Sequence, residues 1–149
     1  MTEVPEDADA LARACAEAML RRDRHSRGLG MRIVEAREGY CRLSLTVTDA
    51  MLNGHDIVHG GVTFSLADSA FAFACNSRNA PNVALQTSMS FTVAGRAGDV
   101  LTAEAVERSG KARTSIYDVT VTRGTGEVIA LFRGVSYRIR GSVLEGIGG

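Results

Sequence analysis

The chain has no tryptophan and only two prolines, and its three cysteines are scattered at Cys15, Cys41 and Cys75. No two of them form a CxxC pair and each sits in an apolar context, so neither a disulfide framework nor a metal site is expected. They read as small buried apolar residues of a protein in the reducing cytoplasm. Net charge is missing too, because 17 Lys+Arg balance 17 Asp+Glu. A nucleic-acid binder carries a basic excess, so no nucleic-acid partner is expected. The longest apolar run, Ala70–Cys75, falls far short of the ~18 residues a membrane helix needs, so no membrane partner is expected either. The acidic start, with Glu3, Glu6 and Asp7, lacks the apolar stretch of a signal peptide. What is present is 149 residues, 45% hydrophobic and 23% charged. That suits a single domain spanning 1–149, with 1–6 and the Gly-rich 141–149 expected to be flexible.

Hydrophobic spacing divides the chain. From Asp7 to Asp23, Ala8, Leu11, Ala14, Cys15, Ala18 and Met19 recur every three or four residues, which predicts an amphipathic helix. Met31–Ala36 and Tyr40–Val47 read as a strand pair joined by Glu38-Gly39; Cys41, Leu43, Leu45 and Val47 alternate with polar residues. Asp49 to Gly61 is a loop. Val62–Ser77 is apolar nearly all round and predicts a buried helix, stopped by Asn79, Pro81 and Asn82. Four further strands follow at about Val83–Val93, Asp99–Arg108, Ala112–Thr122 and Glu127–Arg138. The short turns between them make antiparallel neighbours. The expected class is α+β: about six antiparallel strands wrapped around one central helix, with an extra N-terminal helix.

The chemistry concentrates between Met51 and Ser77. Asp68 is the one acid inside the apolar helix, and an isolated carboxylate is costly to bury. Around it Gly61, Ser65, Ser69, Ala72 and Asn76 form a stripe of small or polar residues, as at the border of a pocket or of a partner chain. His59-Gly60-Gly61 sits where the helix begins. Unpaired N–H groups there can polarise a carbonyl, and glycines let a ligand approach the backbone. Gly60 and Asp68 are ~12 Å apart along a helix. One carbonyl must lie within ~3 Å of both kinds of group. If both are catalytic they come from different chains, as two helices packed antiparallel about a two-fold axis would supply them.

The same residues resemble the PaaI-type thioesterases of the hotdog-fold acyl-CoA thioesterase superfamily, which act in phenylacetate degradation. The resemblance rests on Asn53-Gly54, His59-Gly60-Gly61, Leu66-Ala67-Asp68-Ser69, Cys75-Asn76-Ser77, Tyr117-Asp118-Val119 and Ala130-Leu131-Phe132-Arg133-Gly134, and covers about Leu11 to Arg140. It implies a hotdog fold in a homodimer, commonly a dimer of dimers. It also implies hydrolysis of aromatic acyl-CoA thioesters such as phenylacetyl-CoA, without cofactor or metal. Gly60 would polarise the carbonyl, and Asp68 of the facing chain would be nucleophile or general base. Asn53 would orient water or the carboxylate, and His59 would hold the loop beside the carbonyl. Gly61, Ser65 and Phe64 are candidate substrate-binding residues. Asp56 stands where the family leads one to expect a small neutral residue.

Arg96, Arg108, Lys111, Arg113, Arg138 and Arg140 are candidates for docking the phosphates of coenzyme A. His25 reads as a surface residue and His55 as structural. Two other functions use the same features: a hotdog hydratase or dehydratase with His59 as the catalytic base, and a non-catalytic acyl-CoA-binding protein.

Overall fold

The computed structural model describes residues 3–110 and 112–146. Helix α1 (Ala8–Arg22) starts where the Asp7 side chain accepts from the Ala10 amide, the usual way of satisfying an orphan N–H at a helix start. A second, five-residue helix, α2 (Arg24–Gly28), follows at once because Asp23 caps it in turn through the Ser26 amide. Strands β1 (Arg32–Arg37) and β2 (Tyr40–Thr46) form the expected hairpin, with Gly39 at φ 68° in its turn. A single 3-10 turn at Asp49–Met51 enters the loop. Then come α3 (Gly60–Cys75), β3 (Asn82–Phe91), β4 (Val100–Ser109), β5 (Thr114–Arg123) and β6 (Glu127–Arg138).

The six strands form one antiparallel sheet in the order β1-β2-β4-β5-β6-β3. Alternation puts one side chain of each pair inward, and the register aligns them. Cys41, Ala105, Val119, Phe132 and Met89 make one inward row across five strands. Helix α3 packs on that face and touches all six strands, so the sheet curls around it. Leu66, Ala67, Ala70, Phe71, Phe73 and Ala74 are among its buried residues. Each large one contributes about 1.5–3 kcal/mol by burial. The fit is close at Gly134, where an added Cβ would lie 2.7 Å from the Phe71 ring.

Besides the short helix α2, two features separate the observed fold from the sequence reading. The central helix begins two residues earlier than its apolar run, because His59 caps it. The Gly-rich end, expected to be flexible from 141, is instead pinned as a strap through Leu144. Arg22 donates to the Val143 and Leu144 carbonyls at 2.7 and 2.9 Å, and Asn79 Oδ1 accepts from the Leu144 amide at 2.9 Å. Val143 is buried as a result. Residues 147–149 lie outside the described residues.

The strand β3 is different from its neighbours. It is an edge strand with its outer side unpaired, and most of it is exposed, including Val83, Leu85 and Phe91.

Candidate active site

The loop before α3 is organised by Asn53. Its Oδ1 accepts from the His55 amide at 2.9 Å, and its carbonyl accepts from the Asp56 amide at 3.1 Å. The turn drives Asp56 to φ 59°. Aspartate tolerates that left-handed conformation better than most residues, because its short polar side chain bonds locally. This accounts for an acid where a small neutral residue was expected. His55 is exposed and contributes only its backbone to this turn.

His59 then caps α3. Its Nδ1 accepts from the Gly61 amide at 2.8 Å, so the ring is held with the proton on Nε2 when neutral. The ring folds over Gly61 so closely that an added Cβ there would lie 2.9 Å from Nδ1. The Gly61 amide is therefore already engaged, and this residue offers a substrate space rather than a donor. The Gly60 amide, one residue earlier, has no acceptor among the described residues. Gly60 lines a cleft of about 290 Å³ together with Asn53, Thr63, Phe91 and Val93 among others. The cleft thus brings together Asn53 and the first amide of the helix. The Phe91 ring lies against Gly60, 3.3 Å from where a Cβ would be.

Asp68 does not line that cleft. It lies two turns further along α3, half-buried and with no hydrogen-bond partner among the described residues. Burial pushes its carboxyl above the ordinary carboxylate value, and the nearby charge of Asp23 adds to the shift. The stripe of small and polar residues divides in two. Gly61, Ser65, Asp68 and Ala72, spaced four, three and four apart, stay accessible, whereas Ser69 and Asn76 turn inward. Asn76 donates to the Ala72 carbonyl and accepts from the Asn82 amide.

Helix α2 borders this stripe, which the sequence reading missed. His25 Nε2 lies 2.8 Å from Ser65 Oγ, and Ser26 Oγ lies 2.8 Å from Ser69 Oγ and 2.6 Å from Asp23 Oδ2. His25 is thus tied to the central helix, although its side chain is exposed. The signal available in the sequence was Asp23 three residues before Ser26, the spacing of an N-cap. Five residues are too few to show a helical period. Phe64 packs edge-to-face on Phe132 with centroids 5.6 Å apart and remains partly accessible.

Of the arginines considered for phosphate, Arg108 pairs with Asp118 at 3.0 Å, and Arg113 bonds the Tyr137 hydroxyl at 3.2 Å. Lys111 lies outside the described residues. The three thiols are free and buried, and burial pushes Cys41 and Cys75 up to about 12. No cluster of metal-ligating side chains occurs among the described residues. Among the described residues no helix is long and apolar enough to cross a membrane.

The thioesterase superfamily model matches residues 55–130, the stretch holding His59, Gly60 and Asp68. The acyl-coenzyme A thioesterase PaaI of Escherichia coli (strain K12) is 44% identical over 128 residues, 86% of this chain and 91% of that protein. The structure of the E. coli PaaI protein superposes with a TM-score of 0.89 at 42% identity, covering 91% of this chain and 99% of that one. The smu.793 protein of Streptococcus mutans UA159, solved bound to acetyl CoA, gives a TM-score of 0.71 at 26% identity, covering 73% and 88%. With its curled six-stranded sheet around α3, the chain belongs to the thioesterase superfamily, in the PaaI-type branch of hotdog-fold acyl-CoA thioesterases.

Proposed function

We propose that this protein hydrolyses aryl-acetyl-CoA thioesters, phenylacetyl-CoA or its ring-hydroxylated relatives, at sites that two copies build together in the cytoplasm. The observation that carries the reading is the division of labour along α3. The free Gly60 amide faces a cleft with Asn53, while the unpartnered Asp68 carboxylate sits two turns away on an accessible stripe. A two-fold axis that lays α3 antiparallel against its copy brings each Gly60 to the partner's Asp68.

The surface suits that arrangement. Gly61, Ser65, Asp68 and Ala72 are small enough for two helices to approach. The unpaired edge of β3, with Leu85 62% and Phe91 57% exposed, offers a template for the same strand of a second copy. Two such dimers would make the tetramer.

In the reaction the thioester oxygen accepts from the Gly60 amide, which stabilises the negative charge that builds up there. The partner's Asp68 either takes the proton of a water attacking the carbonyl carbon or attacks that carbon itself, with water then releasing the acid. Asn53 orients the water or the carboxylate. The C–S bond breaks and its electron pair leaves on sulfur. The products are the free acid and the thiol of coenzyme A. His59 fixes the direction of the Gly60 amide from behind. A thiol-release assay over a panel of acyl-CoAs tests the reading: aryl-acetyl thioesters should give the highest kcat/KM, and no thiol release from any of them would end it.

A further inference from the structure

A second cleft, of about 290 Å³, opens on the side of α3 that carries Asp68. It is lined by Met19, Arg22, Asp23, Ala72, Phe73 and Val143. Ala72 is one helical turn beyond Asp68, ~6 Å along the axis. Asp23, whose charge reaches Asp68, stands at the cleft. Its walls come from α1, from Asp23 at the junction with α2, from α3, and from Val143, delivered by the C-terminal strap. The strap has no regular pairing with the sheet and is held by Arg22 and Asn79.

We propose that this cleft receives the distal end of the acyl group, and that Val143 and Ala72 set how large that end can be. The proposal rests on the reading of Asp68 as the group that acts on the thioester. An apolar cavity near 150 Å³ already holds a benzene ring, so this cleft has room for a phenyl ring and its methylene. Both Asp23 oxygens already accept from Ser26, so a phenolic hydroxyl at the ring edge would share one of them. Arg22 lines the cleft itself and also holds the strap by its bonds to the Val143 and Leu144 carbonyls.

The test is a substrate ladder of acetyl-, butyryl-, hexanoyl- and phenylacetyl-CoA, measured on wild type, Ala72→Leu and Val143→Ala. A methylene more or less in an apolar pocket changes kcat/KM by about 10–200-fold. Ala72→Leu should therefore lower the phenylacetyl-to-acetyl ratio of kcat/KM at least about tenfold. Val143→Ala should shift the preference the opposite way, toward the bulkiest acyl group. Val143 is buried, so thermal unfolding of each variant is recorded, and Ala72→Leu carries the test if Val143→Ala does not fold. Folded, active variants whose ratio stays within about twofold of wild type overturn the pocket assignment alone. A wild type that releases no thiol from any member overturns the thioesterase reading and the pocket with it.

Discussion

His59 Nδ1 accepts the Gly61 amide at 2.8 Å, and this bond decides which amide at the start of α3 is left for a substrate. With Gly61 engaged, Gly60, which lines the cleft, keeps an N–H without an acceptor among the described residues. Removing an N-cap acceptor costs ~1 kcal/mol. His59→Ala should lose about that much in urea unfolding, and His59→Asn, which restores an acceptor, should recover most of it. Freed from its brace, the Gly60 amide loses its direction, and kcat should fall by up to about 100-fold. An alanine variant with unchanged stability and kcat would show that the cap has no such role.

Asp68 separates charge from packing. Asp68→Asn should lower kcat by about 10²–10⁴-fold, the range for losing a general base. Stability should behave differently. Burial first, and Asp23 second, raise the Asp68 carboxyl above its ordinary value of 3.8. A raised carboxylate gives stability that is complete below the unfolded value and lost as pH rises through the folded one. At neutral pH the asparagine variant should therefore be as stable as wild type or more so. That advantage should vanish as pH falls below 3.8. Thermal melts across this window check the sign; an asparagine variant less stable at neutral pH would mean that the carboxylate is held by a favourable partner.

Gly134 and Phe71 set the closest approach of α3 to the sheet, with 2.7 Å between an added Cβ and the ring. Both atoms belong to the packed interior, so the ring has little room to retreat. Gly134→Ala should cost about 1–3 kcal/mol, read as a lower urea midpoint at constant slope. A variant as stable as wild type would show that the sheet can shift outward at β6.

The fold was largely legible because its signals are strong. Period-two alternation in Cys41–Val47 and the apolar run ending at Cys75 each admit one structure, and the observed β2 and α3 follow them. Boundaries set by side-chain caps were harder to read, since His59 extends α3 by a bond that has no periodicity. The helix α2 was missed for the same reason, along with the tie from His25 to Ser65. The strap was misread because glycine content suggested fraying, whereas Arg22 and Asn79, far away in sequence, hold it. At the candidate site, Asn53, His59, Gly60 and Asp68 stand out by residue type and spacing. What no local pattern reveals is that Gly61 has its amide occupied, or that a cleft opens beside Ala72.

Complementation between two variants distinguishes a site that takes Gly60 from one chain and Asp68 from another from a site built within one chain. Gly60→Pro removes the amide proton at the first helical position, where proline is tolerated, and His59 already has the extended ψ of 133° that a following proline prefers. Asp68→Asn removes the carboxylate. Each variant alone should be inactive. Unfolded together in equal amounts and refolded, half of the dimers should be hybrids, each with one intact site and one doubly damaged site. About a quarter of wild-type activity should be recovered. A refolded mixture as inactive as its two components would place both groups of a site in one chain.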